Sequence, residues 1–173
     1  SYNDAYFGVI TDPLDPNFAW AVGFFYEIAS TGEDIAFAKY DVTGKTPMMS
    51  GAYRTYDPTA KAPDAGYSIL VTSGAPSYVY VGGITGNQAW VGKFENAAGY
   101  NLLNTPGWTY GPPGTEIQSR IRRMKFDSGL GYIIAAVTHA DVAAIEDDFS
   151  IYKIDVSGGA KTCLLYTSDA ADE

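Results

Sequence analysis

The sequence predicts an all-β fold made of three consecutive four-stranded antiparallel units. Its apolar runs are short, rich in Val, Ile, Tyr, Phe and Trp, and bounded by Gly, Pro, Asn and Asp, as β-strands typically are. No window carries an apolar stripe at helical spacing over several turns. Similar runs also return three times in the same order along the 173 residues, and such internal similarity constrains the fold before any single motif does.

The third run of each unit is the most regular. It reads IAFAKYDVTG from Ile35, AWVGKFENAAG from Ala89 and FSIYKIDVSG from Phe149. Each copy has a lysine between apolar residues, a carboxylate two positions later and a glycine soon after. A feature common to all units is expected to serve the structure, so we predict weak ion pairs at strand ends for these charges.

The remaining runs complete four predicted strands per unit. First runs begin at Ala5, Tyr67 and Ile121, second runs at Phe18, Tyr78 and Tyr132, and fourth runs at Thr46, Tyr100 and Ala160. The three units are therefore expected at about 3–54, 66–109 and 117–166.

Both faces of the predicted third strands are apolar. In the first unit, Ile35 and Phe37 lie on one face, and Ala38 and Tyr40 lie on the other. A sheet covered on both sides by equivalent neighbours is what a β-propeller requires, because each four-stranded blade packs between two others. Since propellers usually have four to eight blades, three units predict an incomplete propeller. A β-sandwich and a β-helix are the alternatives.

The sequence has a turn followed by YVYVGG-T, a loop and AFAKYD-x-x-G. This order resembles the repeat of bacterial β-propeller repeat proteins of the SBBP-like type, which are related in architecture to NHL and YVTN propellers. The resemblance covers nearly all of Asn3 to Thr162 and implies the propeller fold. The sequence departs from the family pattern at the turns Asp12–Asn17 and Ser73–Ser77, and at Ala136.

The segment CLLYTSDAADE, Cys163–Glu173, resembles the in-frame translation of a transposon-based sequencing adapter. We therefore expect residues 1–162 to be a partial propeller and residues 163–173 to be an adapter-derived tail. Cys163 is the sole cysteine, so neither a disulfide framework nor a thiolate metal site is expected.

The formal net charge of −9 argues against a nucleic-acid partner, because phosphate binding needs a basic surface. No apolar run reaches the roughly 18 residues of a membrane span. The expected partners are a protein or carbohydrate ligand and the propeller blades missing from this chain. We expect an extracellular or cell-surface location.

Binding residues are predicted on the loops that join second to third strands and fourth to first strands. These loops are expected to be long and acidic, and variable loops on a rigid scaffold usually carry binding. The candidate ligand-binding residues are Glu27, Glu33, Asp34, Asp57, Asp64, Glu116, His139, Asp141, Arg122 and Arg123.

Glu146, Asp147 and Asp148 are the candidate metal ligands. Ca²⁺ is a possible cofactor because it takes six to eight oxygen ligands, although the spacing matches no calcium-loop signature. The favoured alternative is a solvated acidic loop that keeps the protein soluble.

The stretch SRIRRMKFD, Ser119–Asp127, concentrates four basic residues in one predicted first strand. Facing a central channel, these residues would bind an anion such as a carboxylate or a sulfated sugar. Facing the carboxylates of a neighbouring blade, they would be structural, and this second interpretation is favoured.

The sequence predicts a non-catalytic propeller fragment that serves as a binding scaffold for a protein or glycan. The alternative is part of a propeller enzyme, a hydrolase or lyase, with its active site around the central channel. No catalytic residue is predicted, because His139 is the sole histidine and no phosphate-binding glycine loop is present.

Overall fold

The computed structural model describes residues 4–26, 33–46, 48–57, 64–97, 100–104, 107–110, 118–140 and 147–167. These residues form strands, turns and bends, and none of them is helical. The predicted all-β class is confirmed.

Twelve strands form three antiparallel sheets, and in each sheet the strand order follows the chain. The first sheet consists of β1 (Ala5–Thr11), β2 (Phe18–Tyr26), β3 (Glu33–Asp41) and β4 (Met48–Tyr56). The second consists of β5 (Asp64–Val71), β6 (Tyr78–Thr85), β7 (Gln88–Glu95) and β8 (Trp108–Tyr110). The third consists of β9 (Gln118–Asp127), β10 (Tyr132–Ala140), β11 (Asp147–Asp155) and β12 (Lys161–Thr167).

The second sheet is buried on both faces. One face packs on the first sheet in a cluster made by Trp20, Val22, Ile35, Phe37, Ile69, Val71, Val79, Val81, Trp90 and Phe94. The opposite face packs on the third sheet, where Tyr80 and Val91 meet Ile133 and Ile154. Burial raises the pKa of Tyr80 to about 12. The apolar residues on both faces of its strands therefore reflect the position of the second sheet between the first and the third.

Each sheet has a forward face, which we define by the residues two and four positions before the lysine of its third strand. In the first sheet these are Ile35 and Phe37, which pack against the second sheet. In the second sheet, Ala89 and Val91 pack against the third. In the third sheet the equivalent Phe149 is 43% exposed, so its forward face lacks a covering sheet among the described residues.

Glycine allows the second and third sheets to approach closely. A Cβ atom added to Gly82 of β6 would lie 2.7 Å from the Met124 sulfur and 2.9 Å from the Ile121 Cγ2 of β9. Glycine is needed at position 23 for a different reason, because an added Cβ atom would clash with the Ala5 carbonyl of the neighbouring strand in the same sheet.

The repeated lysines stack on aromatic rings of the second strands. Lys39 lies 4.6 Å from the ring centroid of Phe18, and Lys93 lies 4.2 Å from that of Tyr78. In the third sheet, Lys153 lies 4.1 Å from the ring of Tyr132. Burial lowers the pKa of Lys93, whose Nζ also donates to a carbonyl of the third sheet. The lysines thus cover aromatic surface with their stems and interact with the rings through their charge.

The carboxylates two positions after the lysines serve the turns instead of pairing with those lysines. Asp41 accepts hydrogen bonds from the backbone N and Oγ1 of Thr43, at 2.9 and 2.6 Å. Asp155 accepts the equivalent bonds from Ser157, both at 2.7 Å. These side-chain-to-backbone turns explain the recurrence of an aspartate followed by Thr or Ser.

The beginning of the adapter-like segment belongs to β12. Cys163 pairs with Tyr152, and Leu165 pairs with Ile151. The part of the segment after Thr167 lies outside the described residues.

Candidate functional site

Five of the ten predicted acidic loop residues lie at strand ends. Glu33 and Asp34 begin β3, Asp64 begins β5, and Asp147 and Asp148 begin β11. The strands extend into segments that the sequence suggested as loops, so the connections are shorter than predicted. Only Gly86 and Asn87 separate β6 from β7, and Gly86 adopts the positive φ that such a tight turn favours.

Four predicted site residues, Glu27, Glu116, Asp141 and Glu146, lie outside the described residues, as do the side chains of Asp147 and Asp148. The calcium site therefore stays a prediction. In the part of the chain that the structure covers, no group of three or more His, Cys, Asp or Glu side chains is arranged to hold a metal ion.

A cleft of about 150 Å³ opens at this end of the sheets. It is formed by the starts of β3, β5 and β9 together with the end of β6, so all three sheets contribute. Its lining residues are Glu33, Ala65, Tyr67, Ile84, Gly86, Gln118 and Arg120. Of the predicted site residues, Glu33 alone is among them.

Two opposite charges border the cleft without pairing. Arg120 Nη2 donates to Gln118 Oε1 at 3.3 Å, which holds the guanidinium against its own strand. Glu33, at the start of the first sheet's β3, makes no ion pair with Arg120 or with another described residue. Both side chains are partly exposed, so a ligand in the cleft can reach them.

The buried carboxylate of Asp64 shapes one wall of the cleft. Asp64 is fully buried, and its Oδ1 accepts a hydrogen bond from Gly86 N at 2.9 Å. This bond fixes the β6–β7 turn to the start of β5. Burial and the charges of Asp64 and Asp57 raise the pKa of Tyr56. Asp34 is also buried, whereas Asp57 is exposed.

Each first strand contains one bulged residue, and the three bulged residues lie side by side near the cleft. The register of β1, β5 and β9 shifts by one residue at Phe7, Tyr67 and Arg122 respectively. The rings of Phe7 and Tyr67 are 5.1 Å apart, and the Arg122 guanidinium lies 5.4 Å from the Tyr67 ring. Bulges redirect side chains, and here they bring one side chain from each sheet into contact.

Among the described residues, the basic residues of β9 make no ion pair with a carboxylate of a neighbouring sheet, so their structural role stays a prediction. Arg122 Nε donates to Thr138 Oγ1 at 3.2 Å, and neither Arg122 nor Arg123 contacts a described carboxylate. Both side chains are exposed.

His139 lies inside the third sheet. It is 1% exposed, its Nδ1 lies 2.9 Å from Ser119 Oγ, and its Nε2 lies 2.8 Å from Ser150 Oγ. Both ring nitrogens thus have hydroxyl partners across β9, β10 and β11. This arrangement satisfies a buried imidazole and gives a surface ligand no access to it.

Sequence reasoning missed Tyr67, Gln118 and Arg120 as site residues. Arg120 belongs to the noted basic stretch, so charge was an available signal. Tyr67 had no signal, because its position depends on a bulge and on the neighbouring sheets.

Comparison with protein-family models, curated proteins and solved structures finds no match to this chain. Among the described residues, no helix is long and apolar enough to cross a membrane.

Proposed function

We propose that the three sheets are consecutive blades of a β-propeller and that the molecule is a non-catalytic scaffold, which binds a protein or glycan at the cleft between Glu33 and Arg120. The binding role is carried by one observation: side chains from three sheets converge there with charges of both signs that form no ion pair among the described residues.

The order of the sheets supports the propeller. Forward faces of the first and second sheets pack on the sheet that follows in the chain. The first strands lie side by side, as the contacts of Tyr67 with Phe7 and Arg122 indicate. In a propeller, first strands surround the central channel and each sheet covers the next.

The composition of the cleft supports ligand binding. Binding sites commonly combine an apolar lining with a few polar groups that fix orientation. Here Ala65 and Ile84 supply apolar surface, Tyr67 supplies a ring, and Gln118 and Arg120 supply hydrogen-bonding groups.

The test is binding of the full chain to arrays of immobilised glycans and peptides, with R120Q as the site variant. Lys125→Gln is the matched control, because Lys125 is an exposed cation on the same strand and does not line the cleft. We expect bound ligands to be lost in R120Q and retained in K125Q. Equal binding by both variants, or no binding to either array, would contradict the proposal.

A further inference from the structure

We infer that the cleft takes a small free α-amino acid, a ligand that carries a carboxylate and an ammonium group on one carbon. The inference rests on the proposed binding role of the cleft and goes beyond it by naming a small-molecule ligand in addition to a protein or glycan.

The two charges, which form no ion pair among the described residues, favour a ligand with both signs. Arg120 is held by Gln118 through one nitrogen, which leaves guanidinium N–H groups for a carboxylate. Glu33 has no cationic partner in the part of the chain that the structure describes, and it can accept hydrogen bonds from an ammonium group. The two residues come from the first and third sheets, and Tyr67 of the second sheet also lines the cleft, so a bridging ligand can supply the missing partners.

Other ligand charges fit less well. A simple anion would satisfy Arg120 but would face the negative charge of Glu33. A neutral sugar would leave both charges without an ionic partner, and desolvating an uncompensated charge is costly. A zwitterion removes both penalties together.

The size of the cleft suits a small amino acid. A protein cavity of about 150 Å³ holds a benzene molecule, which has six heavy atoms. Alanine also has six heavy atoms, and the cleft measures about 150 Å³. Ala65 and Ile84 provide apolar surface for its methyl group.

The experiment compares three ligands of nearly equal size by NMR titration of the full chain. L-alanine carries both charges, L-lactate has a hydroxyl in place of the ammonium group, and L-alaninamide lacks the carboxylate. We expect L-alanine to bind about tenfold or more tightly than either analogue, since each analogue loses a charge-assisted contact.

Substitution of Glu33 or Arg120 should each remove one of the two ligand preferences. Glu33→Gln should abolish the preference for L-alanine over L-lactate, and Arg120→Gln should abolish the preference over L-alaninamide. Asp57→Asn and Arg123→Gln, which change exposed charges outside the cleft, should leave both preferences intact. Matching amide signals in the spectra of all variants would establish that the substitutions leave the fold unchanged.

Three outcomes overturn the inference. Equal binding of L-lactate would indicate an anion site, and unchanged preferences in E33Q and R120Q would place the ligand elsewhere. Failure of L-alanine to bind, together with R120-dependent binding on the glycan or peptide arrays, would overturn the amino-acid ligand and keep the binding scaffold. Failure in both assays would overturn both.

Discussion

The carboxylate of Asp12 is buried in the turn between β1 and β2 and is satisfied by three donors. Lys39 Nζ lies 2.5 Å from its Oδ2, Trp20 Nε1 donates to Oδ2 at 3.1 Å, and Leu14 N donates to Oδ1 at 2.9 Å. Burial alone would raise the pKa of Asp12. The hydrogen bonds from Lys39, Leu14 and Trp20 outweigh it and leave this pKa below its ordinary value of 3.8.

Asp12→Asn should therefore destabilise the protein by about 1–3 kcal/mol, because it removes the buried negative charge that pairs with Lys39 and weakens a charge-assisted hydrogen bond. Urea unfolding at neutral pH measures this change. Asp15→Asn is the matched control, since Asp15 is in the same turn and makes only an exposed backbone contact with Asn17. If D12N lowered the free energy of unfolding no more than D15N does, the stabilising role of the Asp12 carboxylate would be contradicted.

The same variant should show a defined pH dependence. A depressed carboxyl pKa contributes stability above the unfolded value, and that stability is lost as the pH falls through the folded value. The stability difference between the natural protein and D12N should be constant above about pH 5 and shrink as the pH falls below 3.8. Urea midpoints at several pH values test this, and a difference that is independent of pH would contradict it.

At the scale of elements, the starts of β2, β6 and β10 at Phe18, Tyr78 and Tyr132 agree with the sequence prediction. These strands were predictable because each is an uninterrupted run of strand-forming residues after a turn. All three lie inside their sheets, where pairing with the third strand is regular.

The fourth strand of the second sheet was placed too early by the sequence. A strand was predicted from Tyr100, whereas β8 spans Trp108–Tyr110. The backbone pairs with β7 at the isolated bridge between Phe94 and Leu102. At Asn104 the side chain takes the place of strand pairing, because it accepts a bond from Lys93 N at 2.7 Å and donates to Val91 O at 3.0 Å. Amino-acid composition does not show that a side chain will form hydrogen bonds in place of backbone groups.

The cleft was likewise only partly predictable. Glu33 was found from its acidic surroundings, but Tyr67 and Arg120 reach the same cavity because β5 and β9 belong to adjacent sheets. Sequence patterns identify strands and their faces, whereas the stacking of one sheet on another decides which side chains meet.

Close packing between sheets makes Gly82→Ala a sensitive test of the fold. The new methyl group would crowd Met124 and the fully buried Ile121, and overpacking should cost about 1–2 kcal/mol. Gly158→Ala is the control, because nothing lies within 4 Å of its added Cβ. Thermal or urea unfolding measures both. Equal stability of the two variants would contradict the close approach of β6 and β9.

At the scale of the whole molecule, two apolar faces lack a covering sheet among the described residues. The forward face of the third sheet exposes Phe149, whereas the equivalent Ile35 of the first sheet is fully buried. The opposite end of the stack has a groove of about 340 Å³ on the first sheet, lined by Asp4, Tyr6, Phe24, Phe25, Ala36, Tyr40 and Met49. Exposed apolar patches of this kind mark surfaces that bind further protein.

We expect this chain to self-associate, with an average mass in sedimentation that rises with protein concentration. Phe149→Ser should weaken the association, because it removes apolar area from the exposed forward face. Leu130→Ser should not, since Leu130 is an exposed apolar residue in the β9–β10 turn, away from that face. A monomer at all concentrations would contradict the incomplete propeller.

The irregular edges of the sheets determine the form that such association takes. Of the six edge strands, β1, β4, β5, β9 and β12 carry a shift in register, and β8 has only three residues. A long regular edge offers a row of free N–H and C=O groups to which another chain can add a strand, and bulged or short edges interrupt that row. Chains that meet through their apolar faces are therefore protected from templating cross-β growth, and their assemblies should be globular and not amyloid.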